Sequence, residues 1–270
     1  MEAVTGNRMP SVFISHGSPM TAIQDAPARR FLLEFGKSLP RPRAILIMTA
    51  HFEATFPVFT TDAAPEMIYD FGGFPQPLYD IVWPAPGALD VAQRAAELLS
   101  NAGVKCGLVS QRGFDHGTWV PLHLMYPDAD IPVCQMSVLQ EQGAAAHIDL
   151  GRQLAPLRDE GIMIIGSGTV THNLRALAMS GRILDAPVQP WAQEFAEWIA
   201  DKIGQGDMDA MAAYRETAPY AQENHPTDEH FLPLSFAMGA GIDDSGHARG
   251  KRVHASIEYG MQSMDAYVFG

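Results

Sequence analysis

Short apolar runs alternate with amphipathic stretches along the chain. Val12–Ser15, Ala44–Thr49, Pro57–Thr61, Val104–Ser110, Ile131–Val138 and Ile162–Gly166 read as strands, and most are apolar at consecutive positions. Such runs suit strands covered on both faces. Apolar residues recur at helical spacing over Leu89–Ala102, Ala145–Arg158 and Trp191–Ile203. A short helix is expected from Gly117 to Met125, and another after His225-Pro226, with Thr227 as N-cap and Asp228, Glu229 and His230 in its first turn. Arg252–Glu258 and Met264–Phe269 add two strands at the end. The pattern predicts an α/β fold: a single domain with a central, mostly parallel sheet flanked by helices.

One stretch escapes both periodicities. Residues Asp62–Pro86 are rich in Gly, Pro and aromatics, including Tyr69-Asp-Phe-Gly-Gly-Phe74 and Trp83-Pro-Ala-Pro-Gly87. So long a loop in a compact domain is usually functional, and its aromatics make it a candidate pocket wall.

Composition narrows the partners. The 270 residues carry a formal net charge of −13 with no basic stretch, which excludes a nucleic-acid backbone as ligand. Residues 1–10 lack the apolar core of a signal peptide, and no apolar run approaches the roughly 18 residues of a membrane span. The expectation is a cytoplasmic protein that does not associate with membranes. Cys106 and Cys134 sit in or beside apolar runs and read as buried, reduced thiols. The Met- and aromatic-rich C-terminus suits core packing at least as well as an interface, so the oligomeric state is left open.

The histidines carry the chemistry. Val12–Ser15 runs directly into His16, and Ala44–Thr49 into Ala50-His51; His116 follows Val104–Ser110, and His172 follows Ile162–Gly166. Ligands of open α/β sheets bind beyond the carboxyl ends of the strands. If these four strands are parallel neighbours, their histidines meet at one rim. A lone histidine after a strand is more often structural than functional, but four at equivalent places point to a metal. His230 ranks ahead of its neighbours His225 and Glu229 as a further ligand, and a helix start there would favour anionic oxygens. His123 reads as packed or half exposed; His147, His247 and His254 fall in surface, loop or strand positions without a role. Gly166-Ser-Gly168 lacks the full nucleophile elbow of a hydrolase, so Ser167 reads as a turn residue.

Six motifs, in order, resemble the class III (LigB-type) extradiol dioxygenases, closest to their DOPA 4,5-dioxygenase branch. They are Ser15-His-Gly-Ser-Pro19, Thr49-Ala-His51, Asp70-Phe-Gly-Gly-Phe-Pro75, Phe114-Asp-His-Gly-Thr-Trp119, His172-Asn-Leu174 and Glu229-His-Phe-Leu-Pro-Leu234. The resemblance implies a short tail over residues 1–8 and one catalytic domain over 9–270. It implies that His16, His51 and His230 bind the metal, that His172 is a further ligand or an acid/base, and that His116 lies beside substrate and oxygen. Fe(II) would serve catalysis, and Zn(II) would suit the same three neutral histidines. The substrates would be a catechol, held between Trp119 and the Asp62–Pro86 segment, and O2. Thr49 and Thr169-Val-Thr171 depart from the family's common Ser and Asn-Val-Val, small changes expected to touch only supporting hydrogen bonds. Two rivals share the residues: a zinc hydrolase or lyase with His172 as base, and a non-enzymatic scaffold. Oxygen uptake separates the first, and the presence of both His116 and His172 argues against the second.

Overall fold

The computed structural model describes residues 8–139, 141–243 and 245–270; of the expected amino-terminal tail, residues 1–7 lie outside the described residues. Its strands are β1 (Ser11–Ser15), β2 (Ala44–Ala54), β3 (Val58–Thr60), β4 (Gly107–Val109), β5 (Val133–Leu139), β6 (Ile162–Gly168), β7 (Gly250–His254), β8 (Ile257–Glu258), β9 (Gln262–Ser263) and β10 (Ala266–Phe269). Eight of them form one mixed sheet in the order β4-β3-β5-β2-β6-β1-β10-β7, with β8 and β9 as a separate hairpin. The centre, β5-β2-β6-β1, is parallel throughout. Antiparallel pairing begins at β3 on one side and β10 on the other.

Both faces of the central strands are buried, which explains their unbroken apolar runs. Phe13, Leu46, Met48 and Ile164 point into a core shared with helices Leu89–Asn101, Ala144–Leu154, Pro190–Gln205 and Leu232–Ala240. Their neighbours Val12, Ile14, Ile45, Ile47 and Ile165 point the opposite way, onto helices Pro27–Ser38 and His116–Met125. The result is a helix–sheet–helix sandwich. Among the described residues no helix is long and apolar enough to cross a membrane.

Several expectations need correction. The β4 region is not a parallel neighbour of the histidine-bearing strands: β4 is a three-residue edge strand that runs with β3, against the central four. His116 therefore reaches the rim by another route, at the first position of helix His116–Met125. Thr227 caps no helix, and regular helix begins only at Leu232. Pro233 has no N–H to offer the carbonyl of Glu229, so His230 stands in a turn ahead of the helix. The C-terminal run belongs to the core, with Tyr267 and Phe269 buried in β10 between β1 and β7. Both cysteines are free, but Cys106 is only half-buried. Burial pushes the Cys134 thiol up to about 12.

Candidate metal centre

His16 leaves β1 at its carboxyl end, where its backbone N–H donates to Gly168 of the neighbouring β6 (2.9 Å). Ser167 is not a turn residue: it is a buried strand residue of β6 whose hydroxyl donates to the Gly117 carbonyl. Having given away its only proton, Ser167 Oγ must accept from His16 Nδ1 (2.9 Å). His16 is thereby fixed as the tautomer whose Nε2 carries a bare lone pair.

His51 lies within β2. The register with β5 jumps from Thr49 opposite Ser137 to Glu53 opposite Val138, so Ala50-His51-Phe52 bulge out of the ladder. A bulge re-aims side chains at a sheet's edge or rim, and here it turns His51 Nε2 to within 3.2 Å of His16 Nε2. His230 donates from Nδ1 to Glu229 Oε1 (2.9 Å), which again leaves Nε2 bare, because a carboxylate only accepts. The His230 carbonyl receives the Thr169 N–H (2.9 Å), which ties its turn to the end of β6.

The rings of His16, His51 and His230 form a near-equilateral triangle, with centroids 5.1, 5.4 and 4.9 Å apart and no pair stacked. Two nitrogens bound about 2.1 Å from one ion at usual coordination angles stand roughly 3.0–3.4 Å apart. The 3.2 Å between His16 and His51 fits that geometry. Donor atoms of His16, His51 and His116 lie within 4.8 Å of one another, as do those of His172, Glu229 and His230.

His116 and His172 complete the ring of imidazoles. Asp115 caps the His116 helix, accepting from the Thr118 N–H and from Thr49 Oγ1 (3.2 and 2.7 Å). Asp70 Oδ1 accepts both the backbone N–H and Nδ1 of His116 (3.0 and 2.9 Å), and Asp70 Oδ2 stands 3.7 Å from His51 Nδ1. Burial works against the Asp70 charge, but the hydrogen bonds and positive pull of His116 outweigh it and hold the carboxyl at about 2. His172 stacks face to face on His230, with centroids 3.5 Å apart and planes 11° from parallel.

Burial, then repulsion from neighbouring imidazoles, favours the neutral form of His16, His51, His172 and His230. His16 and His230 are held well below their usual value for those reasons. His51 is lowered to about 3 and His172 to about 4, by burial first and then by His116, despite the opposing pull of Asp70 and Glu229 on His51 and of Glu229 on His172. Neutral imidazole is the form a metal needs.

A cavity of about 640 Å³ opens over these residues. The Asp62–Pro86 segment supplies Phe71 and Phe74 to its wall, and Phe71 meets His116 edge-on at 5.9 Å. Trp119 is not in the wall; it lies fully buried in the layer beneath, packed against Tyr69 and Phe71. His225 is drawn away from the centre: it is buried, and its Nε2 bonds the Val170 carbonyl (2.7 Å). His147, expected in a surface, loop or strand position, is buried in helix Ala144–Leu154, where its Nε2 accepts the Leu139 N–H (3.0 Å). The threonines that depart from the family pattern make supporting hydrogen bonds: Thr49 Oγ1 donates to Asp115 and accepts the His51 N–H, Thr169 Oγ1 donates to the Gly168 carbonyl, and Thr171 Oγ1 donates to the Met261 carbonyl and accepts the Ser263 N–H.

Residues 10–270 match the family described as the catalytic LigB subunit of aromatic ring-opening dioxygenase. The chain belongs to this family. It is 41% identical over 263 residues to the 4,5-DOPA dioxygenase extradiol of Beta vulgaris, covering 95% of both chains. It is 43% identical over 240 residues to the enzyme of the same name from Escherichia coli K12, covering 88% of this chain and 87% of that one. A crystal structure of an uncharacterized Escherichia coli K12 protein superposes with a TM-score of 0.78 at 36% identity, covering 97% of this chain and all of the other. The LigB enzymes are metal-dependent, and the imidazole cluster at the sheet's rim includes groups of side chains spaced so that they could hold an ion.

Sequence reasoning passed over Asp70, Asp115 and Ser167 as working parts. Asp70 and Asp115 stood inside quoted motifs, acidic residues beside aromatics and glycine. Nothing in the local sequence signalled that Ser167 would reach His16.

Two predictions arise here. A Cβ at Gly168 would come within 2.0 Å of the His230 carbonyl oxygen. Gly168→Ala is therefore expected to displace the His230 turn, destabilising the fold by about 1–3 kcal/mol and lowering metal content. Thermal melting and metal analysis check it; wild-type values for both would show that the close approach is dispensable.

The second concerns acid. Burial holds His225 at about 3 and His147 at about 4, although the Val170 and Gly143 carbonyls pull them upward. In the unfolded chain both return to about 6.5. Between about 4 and 6.5 the unfolded chain binds more protons, so stability falls as pH drops through that window and levels off above it. Calorimetric melting of metal-free protein should show that slope, and a Tm flat across the window would contradict it.

Proposed function

We propose that residues 9–270 act as one catalytic domain that opens a catechol-type aromatic ring with O2, next to its two hydroxyl carbons, at a metal held by His16, His51 and His230. The observation that carries this reading is the triangle of unstacked neutral imidazoles, two of them locked with Nε2 bare by Ser167 and Glu229. An Fe(II) ion bound there supplies Lewis acidity toward the catechol hydroxyls and redox contact with O2.

The chain's own side chains do the rest. Phe71 and Phe74 hold the ring against the histidine cluster and exclude water from one side. His172 takes the proton rather than the metal. An imidazole binds an ion in its own ring plane, and two rings stacked at 3.5 Å share no such plane, so His172 and His230 do not serve one ion together. His116 has its Nδ1–H committed to Asp70, which leaves Nε2 as an acceptor for a phenolic proton. A proton taken by either ring is later available to the ring-opened product. The relatives' name carries DOPA forward as a candidate substrate. A cytoplasmic location is part of this reading.

The test is oxygen uptake by Fe(II)-reconstituted protein offered DOPA, protocatechuate and simpler catechols, with the visible absorbance of a ring-opened semialdehyde followed in parallel. Uptake with coloured product supports the reading. Full Fe(II) occupancy without uptake on any catechol would refute it, and zinc-dependent hydrolysis would then be assayed.

A further inference from the structure

Two strained positions line the same cavity as the aromatic segment. Arg182 and Tyr259 are non-glycine residues with left-handed backbone, at φ 54° and 55°, and both line the cavity. Bulky side chains seldom adopt that conformation, and where they do the strain often marks a functional site. Neither segment floats. The Tyr259 N–H donates to the Leu184 carbonyl (2.8 Å), and the Gln189 N–H donates to the Gly260 carbonyl (2.7 Å). The loop carrying Arg182 is thus stitched to the β8–β9 turn that carries Tyr259. The Tyr259 hydroxyl donates to Gln24 Oε1 (2.9 Å), which closes the rim.

The charges in the lining are unequal. Glu53, Asp70 and Glu229 are acidic, and Arg182 is the one Lys or Arg among the described lining residues. Asp70 and Glu229 are spoken for by His116 and His230. Among the described residues no carboxylate stands within ion-pair distance of the Arg182 guanidinium. It lies close enough to Tyr259 to ease that hydroxyl's ionisation, although burial and Glu258 together push Tyr259 up. A catechol without a carboxylate offers such a cation no anionic partner.

We propose that Arg182, held by its link to the Tyr259 turn, grips a carboxylate on the ring's side chain and selects catechols that carry one over those that do not. This rests on the catechol reading of the site. A guanidinium matches a carboxylate with two parallel hydrogen bonds. An open surface pair contributes only about a few-fold. With the aromatic ring filling the cavity, one side of the pair is shielded from water, and the effect rises to the order of tenfold.

The test pairs two measurements on wild type, Arg182→Ala and Arg182→Lys. In the first, kcat/KM is compared for DOPA and for dopamine, the same catechol without its carboxylate. The ratio of the two is expected to fall at least tenfold in Arg182→Ala and to recover in part in Arg182→Lys. A merely structural role would lower both substrates alike and leave the ratio unchanged, which would overturn the assignment. In the second, calorimetry follows binding of 3-phenylpropanoate and of 3-phenylpropan-1-ol, neither of which can be ring-opened. Loss of preference for the anion in Arg182→Ala supports the assignment, and equal binding of both probes by wild type overturns it. If no catechol is turned over by any variant while the calorimetric preference follows Arg182, the ring-opening reading falls and the carboxylate site stands.

Discussion

His51→Ala is expected to leave a folded protein with no bound metal and no measurable turnover. The side chain sits on a bulge, and the β2–β5 register on either side is set by other residues, from Ile45 opposite Val133 to Ala54 opposite Leu139. Little of the core depends on the ring, which is part-exposed at the cavity floor. Its nitrogen, however, is one corner of a three-point site. Loss of a group that only orients a ligand costs about 10–100-fold in metal affinity, so loss of a ligand itself should exceed that. Circular dichroism and melting would show an intact fold, while metal analysis and oxygen uptake would show an empty, inactive centre. Undiminished activity in His51→Ala would remove His51 from the metal site.

His172→Ala is expected to separate metal binding from chemistry. With His16, His51 and His230 untouched, Fe(II) should bind at one equivalent per chain. Turnover should fall by about 10²–10⁴-fold, the range supplied by a positioned acid or base. His172 stacks on His230, and its Nδ1 lies 3.8 Å from Glu229 Oε1, so on the proposed reading its loss leaves the three ligands in place. The acidic limb of the kcat profile should also change, because the group that carries the proton has gone. Loss of metal in this variant would make His172 a ligand instead.

The part of this site that was legible in the sequence is the part encoded locally. Apolar runs ending in histidine identify β1, β2 and β6, because a strand buried on both faces has to read as a continuous apolar stretch. The aromatic segment read as a wall because its Tyr and Phe residues had no helix or strand periodicity to satisfy. What escaped depends on partners far along the chain. Ser167 and His16 are 151 residues apart, and Asp70 and His116 are 46 apart. The direction of β4 could not be read either, since a short apolar edge strand looks the same whichever way it pairs. The displaced start of the last helix was legible in principle: Pro233 removes one rung of the ladder, and that alone puts His230 in a turn. His147 and His225 are both buried and held by backbone, His147 through both ring nitrogens and His225 through Nε2; His225 stood among the candidate ligands, whereas His147 had been given no role.

The most direct measurement is a single-turnover reaction of the Fe(II)-loaded protein with a catechol under isotopically labelled O2, with the product analysed by mass spectrometry. Ring opening at the three-histidine centre requires one O2 consumed per catechol and both labelled atoms in the ring-opened product, before any exchange with water at its aldehyde. Product formed without O2 consumption, or carrying oxygen from water alone, would contradict ring-opening dioxygenation and return the site to hydrolytic chemistry.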